Sequence, residues 1–187
     1  MGPMFAGKST EMLRRVRRYS LANYRVMTVK YQHDTRYNAG DGSTDSAHIS
    51  THDAPRAMPA TAVVQKLDEL RPRLTEFDII GIDEGQFFPD LAEFCDAAAN
   101  DGKTVIVAAL DGTFERRPFP STAALLPLAE RVTKLTAVCN VCGAAAPFTW
   151  RHGEQKRVEV IGGAELYEPV CRTHYMAHME ISGTANK

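Results

Sequence analysis

The sequence lacks the features that mark several broad classes. It has no charge excess: 22 Lys and Arg stand against 23 Asp and Glu, for a net charge of −1. Bulk attraction to nucleic acid or to an anionic membrane is therefore not expected. No apolar run approaches the length that crosses a bilayer. No basic stretch leads into an apolar one near Met1, so a secretory signal is not expected and a cytoplasmic protein is the default. Cysteine is scarce, at four residues. Cys95 stands alone, while Cys139, Cys142 and Cys171 cluster late. That distribution suits metal binding in a reducing compartment better than a disulfide framework. No internal repeat or low-complexity tract is present. The 187 residues suffice for one ordinary domain, or a domain with a small appendage.

What is present alternates between strand and helix patterns. Residues 9–23 carry apolar positions at helical spacing, with Arg14, Arg15, Arg17 and Arg18 on the other face. That basic run reads as a solvated helix face. Residues 25–31, 78–83 and 104–110 read as strands, the last two buried. Residues 62–74, 91–100 and 122–132 read as helices. Residues 32–61 are polar and rich in Gly, Pro, Ser and Asp, which predicts a long loop. This order implies an α/β fold with a mostly parallel sheet and flanking helices. After residue 137 the character changes to cysteines, Gly pairs and short strand-like runs such as 157–163. We therefore expect a phosphate-loop domain over 1–137 and a small zinc-binding lobe with a tail over 138–187.

The opening stretch, Gly2-Pro3-Met4-Phe5-Ala6-Gly7-Lys8-Ser9, fits G-x-x-x-x-G-K-[ST]. Its glycines let the backbone turn tightly and approach phosphate oxygens, and the following helix N-terminus favours an anion. Lys8 is expected to reach the outer phosphates and Ser9 to ligate Mg²⁺. Only Met1 precedes the loop, where such loops usually follow a strand; a trimmed sequence or a processed numbering is the expected reason.

A second feature agrees with the first. The apolar run 79–82 ends in Asp83 and Glu84. An acid at the end of a strand neighbouring a phosphate loop holds Mg²⁺. Ligands bind at the carboxyl ends of parallel strands. Adjacent carboxylates can divide the work, Asp83 for the metal and Glu84 as general base.

The third feature is Cys139-x-x-Cys142, then Cys171-x-x-His174. Two tight ligand pairs of this kind make a four-coordinate, structural Zn²⁺ site. Cys95 lies among apolar helix residues and reads as an inert buried thiol.

Taken together, residues 2–10, 30–37, 82–90, 105–119, 134–142 and 159–174 resemble the type II, zinc-containing thymidine kinases. The resemblance implies ATP-dependent phosphorylation of the 5′-hydroxyl of thymidine or deoxyuridine. It implies a phosphate-loop domain and a zinc lobe whose lasso loop covers the nucleoside. It also implies a homotetramer, and thymidine triphosphate as feedback inhibitor. Gly2 to Ser9 resemble the ATP loop, Asp34, Thr35 and Arg36 the family's Asp-Thr-Arg stretch, and Gln86 joins this phosphate side. Glu84 resembles the base and Asp83 the Mg²⁺-linked acid. Phe114, Val158, Glu159, Val160, Ile161, Gly162 and Tyr167 resemble the nucleoside-binding residues, with Met4 and Leu110 beside them. Cys139, Cys142, Cys171 and His174 resemble the zinc ligands. The segment after Arg36 is longer than the family pattern. Two other readings stand beside this one. A zinc-containing nucleic-acid-binding module switched by nucleotide would need a basic, aromatic-interleaved stretch near the cysteines, which is absent. A phosphate-loop NTPase would transfer to water.

Overall fold

The computed structural model describes residues 1–33, 48–51, 54–153 and 165–184. Its centre is a four-stranded sheet in the order β4-β1-β5-β6, formed by β1 (Val26–Tyr31), β4 (Ala62–Val64), β5 (Ile79–Ile82) and β6 (Thr104–Val107). All three pairings are parallel: Val29 lies opposite Ala62 and Ile82, and Ile82 opposite Val107. Such strands need cover on both faces. The run Ile79-Ile80-Gly81-Ile82 is buried throughout, which is why it reads as an unbroken apolar stretch.

The two faces are covered differently. On one, α1 (Lys8–Leu21) places Met12 and Val16, one turn apart, against Ile49 and Ala108. Arg14, Arg17 and Arg18 of this helix are exposed, as a solvated face requires. On the other, α2 (Leu91–Asn100) presents Leu91, Phe94, Cys95 and Ala98 to Met27, Ile80 and Ile82. Each fully buried side chain of this size contributes roughly 1.5–3 kcal/mol. Burial pushes the Cys95 thiol up to about 12, with Asp90 adding to the shift.

Four expectations need correction. The strand expected over 104–110 is shorter, Thr104–Val107, and is not buried: Thr104 is exposed and Val105 to Val107 are half-buried, at the edge of the four-stranded sheet. Residues 62–74 do not form an amphipathic helix. Ala62–Val64 is strand β4, as the adjacent valines favour, and a 3₁₀ segment follows over Leu67–Glu76. Its three-residue repeat eclipses Leu67 and Leu70 on the core side. The loop reading of 32–61 is also too simple. It contains β2 (His48–Thr51) and β3 (Ala54–Pro59), an antiparallel pair with Ile49 opposite Met58. In a two-stranded ribbon every strand is an edge, so Pro55 and Pro59 are tolerated. The helix expected over 122–132 is α3 (Pro120–Leu125) plus a 3₁₀ turn, Leu126–Leu128. Pro127 has no N–H to continue the α-helical ladder.

The remaining elements are β7 (Ala137–Val138), β8 (Ala145–Ala146), β9 (Phe148–Arg151), β10 (Tyr167–Val170) and α4 (Arg172–Thr184). They form two antiparallel pairs and one helix around Ala137, Cys139, Ala146, Val170 and Tyr175. Phe5 and Ala6, from the N-terminal loop, pack against this cluster. Among the described residues, no helix is long and apolar enough to cross a membrane. The fold is the mixed α/β arrangement that the alternating pattern predicts.

Candidate active site and metal centre

The N-terminal loop runs across the carboxyl ends of β5 and β6. Gly2 bridges Leu110 in parallel. Its φ is 154°, and a Cβ there would stand 2.5 Å from the Leu135 carbonyl oxygen, so only glycine fits. Gly7, at φ 71°, caps α1 in the left-handed region and turns the chain into the helix. Lys8, the first residue of α1, donates from Nζ to the Pro3 carbonyl at 2.7 Å, which draws its ammonium over the loop. The Met4 N–H donates to Thr149 Oγ1 at 3.0 Å and ties the loop to β9.

The loop and the end of β5 meet through one bond. Ser9 Oγ donates to Asp83 Oδ1 at 2.7 Å, across 74 residues of sequence. Asp83 is 5 % exposed, and its own N–H donates to Val29 at 3.0 Å. A hydroxyl and a carboxylate at this spacing suit a hard cation. Neighbouring ligands of octahedral Mg²⁺ stand about 2.9 Å apart, given bonds of about 2.05 Å.

Glu84 follows in a left-handed conformation, φ 51° and ψ 42°. A non-glycine residue held there costs of order 1 kcal/mol or more, and such residues cluster at functional sites. Gln86 Nε2 donates to Glu84 Oε2 at 2.5 Å, and Gln86 Oε1 accepts from the Leu110 N–H at 2.9 Å. Gln86 thus lies between Glu84 and Leu110, and is 6 % exposed. Ser121 Oγ fixes its backbone by donating to the Gln86 carbonyl at 2.8 Å.

Phe114 sits in the segment between Leu110 and α3. The Tyr175 hydroxyl donates to its carbonyl at 2.6 Å, and the Arg151 guanidinium lies 3.7 Å from its ring centroid. Tyr167 is buried on β10, directly opposite Arg151. Thr149, Arg151 and Tyr175 were not singled out from sequence. Each acts through a tertiary contact, and nothing in local spacing distinguishes them. Asp34, Thr35, Arg36 and Val158 to Gly162, with the lasso loop expected around them, lie outside the described residues.

The cysteine-histidine cluster is brought together as a unit. The donor atoms of Cys139, Cys142, Cys171 and His174 all lie within 4.8 Å of one another. Cys142 Sγ and Cys171 Sγ are 3.9 Å apart, and His174 Nδ1 is 3.6 Å from Cys139 Sγ. A zinc tetrahedron with Zn–S bonds of about 2.3 Å has sulfur–sulfur edges of about 3.8 Å. The four residues therefore fit zinc and could hold it with no coordination position left over. Burial opposes ionisation of Cys139, but N–H groups of Cys171, Val141 and Cys142 outweigh it and bring the thiol down to about 6. The cluster joins the β7–β8 turn to the start of α4.

Comparisons with known proteins agree with this geometry. Residues 1–175 match the family described as thymidine kinase. The chain is 51 % identical over 176 residues to the thymidine kinase of Raccoon poxvirus, covering 94 % of each protein. It is 51 % identical over 178 residues to that of Vaccinia virus (strain Ankara), again with 94 % of each covered. The Monkeypox virus thymidine kinase shows 51 % identity over 176 residues, with the same coverage. With half its residues shared along almost its whole length, this chain belongs to the thymidine kinase family.

Proposed function

We propose that this chain transfers the γ-phosphoryl group of ATP to the 5′-hydroxyl of thymidine, and of deoxyuridine. The observation that carries the reading is the Ser9–Asp83 bond, 2.7 Å long, which joins a phosphate loop to a strand end bearing a second carboxylate, Glu84. In the reaction the 5′-oxygen bonds to the γ-phosphorus, the bond from that phosphorus to the ADP oxygen breaks, and the hydroxyl proton passes to Glu84. A ribose hydroxyl is a weak nucleophile, so an oriented carboxylate is the group it needs. The strained backbone at Glu84 and the Gln86 amide on its carboxylate support a fixed orientation.

The residues Gly2 to Ser9 bind the donor phosphates through backbone N–H groups and the Lys8 ammonium. Asp34, Thr35 and Arg36 join them, by resemblance to the family. Ser9 and Asp83 would hold Mg²⁺, which when bound supplies positive charge to the phosphate oxygens. The thymine lies in a slot between Phe114 and Tyr167, with Met4 and Leu110 at its edge; Val158 to Gly162 join them by resemblance to the family. A flat uncharged base favours such an aromatic and aliphatic slot. Zinc at Cys139, Cys142, Cys171 and His174 is structural and steadies the lobe, residues 138–187, against the domain of residues 1–137. The chain acts as a cytoplasmic homotetramer, inhibited by thymidine triphosphate. Incubation with Mg·ATP and a panel of nucleosides tests the reading: thymidine and deoxyuridine should yield 5′-monophosphates, whereas ATP consumption independent of any nucleoside would replace it with hydrolysis.

A further inference from the structure

We infer that Arg151 is a positioning residue for the nucleoside slot, its buried guanidinium tying the Phe114 ring to the strand pair that carries Tyr167 and thereby setting the affinity for thymidine. The inference rests on the function proposed above, in which these two rings flank the base.

Arg151 ends β9 and is 6 % exposed. It is related to the two residues in different ways. Its register partner across the β9–β10 ladder is Tyr167. Directly opposed residues project from the same face of an antiparallel pair, with Cβ atoms about 4.5–5.5 Å apart. Its guanidinium carbon stands 3.7 Å from the Phe114 ring centroid. One side chain therefore connects the β9–β10 pair to the Phe114 ring.

Phe114 needs such a support. It belongs to no helix or strand. Its carbonyl is held by the Tyr175 hydroxyl at 2.6 Å, and Tyr175 in turn lies under Arg116, 4.3 Å from ring centroid to guanidinium carbon. Those contacts hold the main chain, and the Arg151 guanidinium lies over the ring itself. Burying a guanidinium is costly unless its charge is met. The face of an aromatic ring meets it best where water is excluded. A methionine would fill the same space without that desolvation cost, but it would not attract the ring face. A lysine would keep the charge and lose the planar stack.

The base occupies the slot equally before and during phosphoryl transfer. Loosening one wall should then weaken ground state and transition state alike, raising the thymidine KM and sparing kcat. The test compares wild type, R151M and R151K, with zinc content and Tm measured on each. Thymidine is varied at saturating Mg·ATP, and ATP at saturating thymidine. R151M should raise the thymidine KM about tenfold, as loss of a desolvated cation–π contact implies. R151K should raise it about threefold, since a point charge restores part of the attraction. In both, kcat should stay within about twofold and the ATP KM should be unchanged. An unchanged thymidine KM in both variants overturns the inference, as does a parallel loss of kcat and of both KM values. Should R151M fail to fold, R151K decides by the same readings. A wild-type chain that does not phosphorylate thymidine overturns the proposed function and this inference together, and that result is visible before any substitution is made.

Discussion

Ser9 and Asp83, 74 positions apart, are joined by a hydrogen bond of 2.7 Å. The bond puts the first turn of α1 in register with the end of β5. Glu84 follows Asp83 directly in the chain. Asp83→Asn keeps the shape of the side chain and removes its charge. The expected outcome is a several-fold higher Mg²⁺ requirement, with thymidine KM little changed. A Mg²⁺ titration of initial rates checks it, and an unaltered titration would remove Asp83 from the metal site.

Zinc should be present at one ion per chain after exhaustive dialysis. Trp150 reports on the lobe, since its ring meets Tyr175 edge-on at 5.3 Å and stacks on His178 at 5.0 Å. It is the only tryptophan in the chain. Chelation, or Cys142→Ser, should change Trp150 fluorescence, lower the Tm and weaken thymidine binding through Tyr167. Metal analysis of freshly purified, reduced protein that finds no zinc would refute the site.

Thymidine triphosphate should inhibit. On the function proposed above, its base would enter the slot at Phe114 and Tyr167, and its phosphates would extend towards the loop at Lys8. A ligand that reaches both regions meets the association cost once and stabilises the folded chain by mass action. It should raise the Tm more than thymidine or ATP at equal concentration. Lys8→Ala should abolish most of that excess and leave the thymidine response intact. A wild-type chain whose melting ignores the triphosphate contradicts the geometry.

The acid limb of stability should depend on Asp78. Hydrogen bonds from the Arg25 side chain, the nearer at 2.6 Å, hold this carboxyl down to about 2. The Arg25 backbone N–H adds a third, at 3.1 Å. A group depressed on folding contributes stability above its unfolded value, near 3.8, and loses it as pH falls through 2. Asp78→Asn should therefore lower the Tm at neutral pH by a small amount, because the pair is exposed to solvent. The difference should shrink between about pH 4 and pH 2. A gap that widens on acidification would assign the effect to another group.

Much of this was legible in the sequence, and the reasons are physical. The unbroken apolar run at Ile79–Ile82 can only be a buried strand or a short helix, and Asp83-Glu84 after it favours the strand. The phosphate loop and the two zinc pairs are defined by spacing that chemistry demands, so they are readable without a fold. What was illegible depends on partners far away in the chain. The strand Ala62–Val64 exists because β1 lies beside it, and the pair His48–Thr51 with Ala54–Pro59 is made by backbone bonds that composition does not announce. Gln86 joins the phosphate side by resemblance to the family, but its two bonds, to Glu84 and Leu110, could not be read from the sequence. Arg151 carries no sequence signal at all, because its role lies in a ring 37 positions earlier, Phe114.

The central claim is that Glu84 takes the proton of the attacking 5′-hydroxyl. Its most direct test is the turnover number of Glu84→Gln with saturating thymidine and Mg·ATP, beside wild type. The substitution keeps the size of the side chain and removes its basicity. The account predicts an intact fold, unchanged ATP binding and a turnover reduced by about 10²-fold or more, the usual loss for a general base. Turnover near that of wild type would contradict it.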